Sequence, residues 1–224
     1  AFAGAVDLGF RYLETDVHAT ADGVLLAFHD DVLDRVTDRR GAIAELTWRE
    51  ISTAPVSGTQ PLPLLEDLLG TWPEVRLNID PKHDSAVDPL IEAIQRTGAL
   101  DRVCIGAFSD RRLAGMRDRL GPRLCTSAGP RAVARLRAAC FGAPLGIFPA
   151  PSVQVPVSVK GAPLVDERFV RMAHRHGIDV HVWTVDDPQE MVRLLDLGVD
   201  GIMTDRPNVL RSVLSERGLW SGPT

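Results

Sequence analysis

Short apolar runs rich in β-branched residues alternate along the chain with longer stretches whose apolar positions recur every three or four residues. The runs predict strands over 12–17, 75–79, 103–108, 123–127, 145–148, 180–185 and 201–204. The longer stretches predict helices over 89–96, 111–120, 132–140, 166–176 and 188–197. Several ends are marked: Asp187-Pro188 caps and opens the last of these helices, and Gly198 closes it. Gly177 and Gly121-Pro122 close two others. Strands alternating with helices imply parallel sheet covered by helices, an α/β fold.

Residues 2–8 read as the end of a helix with no strand before it. Adding that strand to the seven counted gives eight, enough to close a (β/α)₈ TIM barrel. The expectation is therefore that residues upstream of Ala1 belong to the protein and are needed for catalysis. An open doubly wound sheet is the alternative, but no Gly-rich first turn supports a nucleotide-binding version. No linker-like tract interrupts the chain, so 1–224 reads as one domain. One connection breaks the rhythm: more than fifty residues separate the strand at 12–17 from that at 75–79. A loop of that length is usually functional or carries structure of its own.

Composition changes the picture little. Hydrophobic residues at 45% and charged residues at 25% suit an ordinary globular core. A net charge of −5 argues against a nucleic-acid partner or an anionic membrane surface. No apolar run reaches transmembrane length, so no stable membrane insertion is expected. Cys104, Cys125 and Cys140 form no metal-ligand spacing and read as reduced, buried thiols of a cytoplasmic protein.

The candidate chemistry gathers at predicted strand ends. Glu14 and Asp16 sit two apart, project to one face and repel unless a positive charge joins them. The C-terminal ends of barrel strands are where such folds build active sites. Asp22-Gly23 between apolar runs signals a two-residue hairpin turn. That register pairs Ala21 with Val24 and sets His29 opposite Asp16. Asp80 and Lys82 end the next barrel strand and also share a side. Three carboxylates at one level make a hard oxygen cage for Mg²⁺ or Ca²⁺. Lys82, one of two lysines in the chain, is a compact charge suited to phosphate. Of the other histidines, His83 is expected near the mouth, while His18, His174, His176 and His181 are expected outside the site, His18 facing away from Asp16.

The segments 12–17 (YLETDV), 20–24 (TADGV) and 29–37 (HDDVLDRVT) together resemble the glycerophosphodiester phosphodiesterase family. Thr47-Trp48, residues 63–66 (PLLE), 78–82 (NIDPK), 183–186 (WTVD) and 198–207 (GVDGIMTDRP) continue the resemblance in the same order. It implies a (β/α)₈ barrel with a small insertion after the second strand, here about 31–73. It also implies hydrolysis of diesters such as glycerophosphocholine to glycerol 3-phosphate and an alcohol, with a divalent cation, Mg²⁺ or Ca²⁺, as cofactor. Carried over by position, Glu14, Asp16 and Asp80 become metal ligands and His29 one of two acid/base histidines. Lys82 becomes a catalytic phosphate contact, and Trp183 part of the pocket wall. Two departures stand out. The family's His-Arg-Gly and Pro-Glu-Asn-Thr motifs are absent, and Asp80 stands where the family often has Glu. The alternative enzyme is a related barrel lyase acting on lysophospholipids, for which Ile43, Leu46 and Trp48 would supply an apolar rim. The alternative without turnover is a barrel that only binds phosphodiesters.

Overall fold

The computed structural model describes residues 1–222. The chain forms two compact units, one of residues 12–125 and one of residues 1–11 with 126–224. Helix α1 (Phe2–Asp7) opens the chain and belongs to the second unit.

Strands β1 (Tyr12–Ala19), β2 (Leu25–Ala27), β3 (Arg76–Pro81) and β4 (Val103–Ile105) of the first unit, with β5 (Cys125–Thr126) at its end, follow the sheet order β2-β1-β3-β4-β5. Helices α2 (Trp48–Ile51), α3 (Leu65–Thr71), α4 (Val87–Arg96) and α5 (Asp110–Leu120) fall between them. β1 and β3 run parallel, with Glu14 beside Asn78 and Asp16 beside Asp80. Alternation then sorts the side chains: Leu77 and Ile79 are fully buried, while Asn78, Asp80 and later Lys82 occupy the other face. The long connection has its own small core of Leu26, Phe28, Leu33, Ile43, Ile51 and Leu62. Each large aliphatic buried there contributes about 1.5–3 kcal/mol. A Thr47–Glu50 capping box starts α2, and Ser109 Oγ accepts the Arg112 amide to start α5.

The hairpin departs from the two-residue turn expected at Asp22-Gly23. Val17 pairs with Ala27 and Ala19 with Leu25, one residue off the expected register. The loop spans three residues, and Gly23 takes φ +83°, a left-handed conformation that a side chain would resist. Local bonds select this turn. Thr20 Oγ1 donates to Asp22 Oδ1 at 2.6 Å and accepts the Val24 amide at 2.9 Å. Asp22 Oδ1 also accepts the Trp48 amide at 2.9 Å, tying the turn to α2.

In the second unit, β6 (Ser152–Pro156) is followed by the short antiparallel pair β7 (Ser158–Val159) and β8 (Ala162–Pro163), then β9 (Asp179–Trp183) and β10 (Gly201–Ile202). β10, β9 and β6 form a parallel sheet in that order. Helices α6 (Pro130–Ala139), α7 (Glu167–Arg175), α8 (Pro188–Leu197) and α9 (Pro207–Glu216) complete the unit. Its core joins Leu136, Val153, Phe169, Val180, Val182 and Leu194. Asp187 caps α8 by accepting the Glu190 amide, and Gly198 ends it in the left-handed region, as its sequence predicts.

The strand expected at 145–148 is not formed. That segment lies in a loop punctuated by Pro144, Gly146, Pro149 and Pro151, and the strand begins at Ser152, where Val153 and Val155 alternate inward. The three cysteines are not in disulfides and are half-buried rather than buried. Among the described residues, no helix is long and apolar enough to cross a membrane.

Candidate active site

The first unit brings Glu14, Asp16, His29, Asp80 and Lys82 together. Asp16 and Asp80 are register neighbours on parallel strands, a separation of about 5 Å. Two carboxylates that close repel, and the sequence supplies its own counter-charge. Lys82 Nζ lies 2.8 Å from Asp16 Oδ1 and 3.0 Å from Asp80 Oδ2, bridging the two strands. Lys82 is two residues beyond Asp80, so the same pleat that exposes Asp80 to the site delivers the ammonium. Burial works against the charge on Lys82, but its hydrogen bonds to Asp16 and Asp80 outweigh it and raise its pKa. Arg112 steadies this end of β3: its guanidinium donates to Pro81 O at 2.7 Å and pairs with Asp84.

Glu14 has no such partner. Its carboxyl is pushed up to about 7, first by loss of water from neighbouring protein atoms and then by the charge of Asp16. The side chain remains solvent-accessible on one side, so water screens part of the effect. Asp80 is raised too, chiefly by burial.

His29 stands at the edge of this cluster. Its Nε2 is 3.8 Å from Asp16 Oδ2 and its Nδ1 2.7 Å from Asp30 Oδ1. The side chain is 80% exposed, so solvent and substrate can reach it. His29 arrives here by a different route from the expected pairing. Phe28, whose amide donates to Asp16 O, lies opposite Asp16, and the chain leaves the strand just before His29.

Sequence reasoning missed two contributors. Asp30 is gripped by Arg35, whose Nε and Nη2 donate at 2.6 and 3.0 Å, and the hydrogen bonds from Arg35 and then His29 hold its pKa at about 2. An ionised Asp30 favours the His29 tautomer that carries its proton on Nδ1. The segment 29–35 carries all three residues, and the five-residue spacing of Asp30 and Arg35 was the available signal. His18 is the other. It is buried, its Nε2 lies 3.2 Å from His29 O, and its ring centroid is 5.6 Å from that of exposed His83. The expectation that His18 faces away from Asp16 is wrong because positions 16 and 18 share a face of β1. Burial lowers its pKa, which suits a neutral support for the His29 backbone.

The apolar rim expected from Ile43, Leu46 and Trp48 is not there. Ile43 is fully buried, and Leu46 and Trp48 are half-buried against the same small core. Trp183 ends β9 in the second unit and is half-buried. Among the described residues, no three His, Cys, Asp or Glu side chains converge as a metal-holding group, and the Lys82 ammonium fills the space between Asp16 and Asp80. The donor chemistry nevertheless fits a hard cation. Glu14, Asp16 and Asp80 offer only oxygen, and one lysine leaves their combined charge incompletely matched.

Carboxylates, an ammonium and a histidine gathered on an α/β fold are groups suited to phosphoryl chemistry. The sequence profile of the Glycerophosphoryl diester phosphodiesterase family matches residues 1–140 and 143–209, and the chain belongs to that family. It is 43% identical over 230 residues to "Probable glycerophosphodiester phosphodiesterase 2" of Mycobacterium tuberculosis, covering 99% of this chain and 86% of that protein. A glycerophosphodiester phosphodiesterase of Caldanaerobacter subterraneus is 28% identical, over 97% of this chain and 91% of its own. Among solved structures, a glycerophosphodiester phosphodiesterase from Parabacteroides distasonis superposes with a TM-score of 0.77 at 26% identity, covering 97% and 89% of the two chains. A phosphodiesterase from Oleispira antarctica, solved with sn-glycerol-3-phosphate, gives 0.76 at 21% identity, covering 93% and 87%. The fold is thus mixed α/β with parallel sheet, of the TIM-barrel type, and the chain is a phosphodiester hydrolase with glycerophosphodiester phosphodiesterase activity. The family is generally dependent on a divalent cation.

Proposed function

We propose that the enzyme cleaves glycerophosphodiesters such as glycerophosphocholine to glycerol 3-phosphate and an alcohol, using Glu14, Asp16, Asp80, Lys82 and His29. The observation that carries this reading is the bridge of Lys82 between Asp16 and Asp80, with His29 Nε2 3.8 Å from the same Asp16. Glu14, Asp16 and Asp80 would hold the cation, Mg²⁺ or Ca²⁺, since all are hard oxygen donors. When bound, the cation supplies charge against the phosphate oxygens and acidifies an oxygen nucleophile.

The chain's own residues do the rest. Asp30 accepts the Nδ1 proton of His29 and leaves Nε2 free to take a proton from the nucleophile or pass one to the leaving alkoxide. Arg35 keeps Asp30 ionised, so the neutral ring is favoured with its proton on Nδ1. Lys82 is a fixed positive charge for the transferring phosphoryl group and gives up carboxylate contacts as other positive charge arrives. Trp183 keeps its proposed place as a wall for the glycerol or leaving group, on the strength of the 183–186 match to the family. Residues 1–224 act as one domain with an insertion at about 31–73, and thiols outside disulfides accord with a cytoplasmic setting.

Incubation with glycerophosphocholine, followed by phosphorus NMR, tests the reading. Stoichiometric glycerol 3-phosphate with choline is expected. Accumulation of a cyclic phosphate as the end product would favour a lyase instead, and no product at all would leave a binding protein.

A further inference from the structure

The charge of the chain is unevenly placed. Residues 130–175 hold seven Arg and Lys against two carboxylates, so this stretch carries +5 while the rest carries −10. Six of the seven lie on α6 and α7 of the second unit, Lys160 sits in the turn between β7 and β8, and a loop leads from α6 to β6. Two large apolar side chains stand out from that loop, Phe141 at 67% and Ile147 at 93% exposure. Lone exposed hydrophobics are ordinary, but these two are fixed among arginines. The Arg137 and Arg168 guanidinium carbons lie 5.3 and 6.0 Å from the Phe141 ring centroid. Arg135 donates to Leu145 O and, at 3.0 Å, to Ile147 O, pinning the loop that presents Ile147. Next to Phe141, Arg168, Arg171 and Arg175 line a cavity of about 200 Å³ with Cys140 and Met172.

Exposed apolar side chains on a loop held by arginines, beside an arginine-rich helix, match a surface that is hydrocarbon below and anionic above. We propose that this α6–α7 face is a reversible docking surface for anionic phospholipid membranes. Phe141 and Ile147 enter the interface, and the arginines of α7 meet lipid phosphates. The chain-wide charge of −5 conceals this face by averaging it with the acidic remainder, which orients the approach. None of the proposed catalytic residues lies on it, so the two proposals fail independently.

Co-sedimentation of the enzyme with vesicles of phosphatidylcholine, alone or mixed with phosphatidylglycerol, tests the assignment. Binding to the anionic vesicles is expected to be at least about tenfold stronger at low salt and to fall as salt rises. Arg168→Glu with Arg175→Glu should lower it at least about tenfold. Phe141→Ser with Ile147→Ser should also lower it about tenfold while retention on heparin is unchanged. Both double variants should hydrolyse soluble glycerophosphocholine at the wild-type rate, which confirms that they fold. Equal binding to the two kinds of vesicle would overturn the proposal. So would vesicle binding indifferent to the Phe141 and Ile147 changes, since the face would then serve a polyanion or an acidic protein.

Discussion

Asp30→Asn isolates the part of the mechanism that depends on a single proton. The substitution keeps size and shape but removes the charge that His29 Nδ1 meets at 2.7 Å. The amide can turn its NH₂ toward Nδ1, which moves the ring proton to Nε2 and blocks the nitrogen that faces Asp16. A hydrogen bond to a charged group contributes about 1.5–3 kcal/mol, or about 10- to 150-fold in rate. His29 is 80% exposed, so water softens the loss and the lower end applies: kcat should fall about 10- to 30-fold with KM little changed. Steady-state release of glycerol 3-phosphate measures kcat, and the urea-unfolding midpoint separates positioning from folding. Wild-type kcat in a folded variant would refute this role for Asp30.

Further expectations follow from the same geometry. Asp16→Asn should weaken cation binding at least about tenfold by titration calorimetry, because it removes one charged donor. Lys82→Met removes the ammonium that bridges Asp16 and Asp80 and should lower kcat/KM about 100-fold, measured with glycerophosphocholine. Asp166 caps α7 by accepting the Phe169 amide at 2.9 Å and pairs with Arg137, whose hydrogen bond lowers its pKa. Its stabilising effect is therefore present above the unfolded value near 3.8 and lost as pH falls through the lower folded value. Asp166→Ala should cost about 1 kcal/mol in urea unfolding at pH 7 and less at acidic pH. Phe169→Ala, at a fully buried position, should cost about 3–5 kcal/mol by the same assay.

The sequence made the strand-end chemistry readable because a period of two is rigid. Glu14 and Asp16, or Asp80 and Lys82, must share a face once each run is a strand, and the β1–β3 register then sets Asp16 beside Asp80. Helix limits were legible where Pro, Asp and Gly mark them, as at α8. Turn geometry was not. Asp22-Gly23 is compatible with loops of two or three residues, and the choice rests on Asp22 capping a helix that begins at Trp48, far along the chain. The strand expected at 145–148 failed for a related reason: a short apolar run names hydrophobicity but not direction, and prolines on both sides turned it into a loop. Asp30 and Arg35 were visible as residues but not as partners, since their bidentate pairing depends on how the chain leaves the hairpin.

The central claim is that Glu14, Asp16 and Asp80 make this phosphodiesterase dependent on a divalent cation. Turnover of glycerophosphocholine after dialysis against EDTA, before and after Mg²⁺ or Ca²⁺ is restored, addresses it most directly. Activity should be lost on chelation and recover with one of the two ions, with no recovery in Glu14→Gln combined with Asp16→Asn. Full turnover in excess EDTA would contradict it.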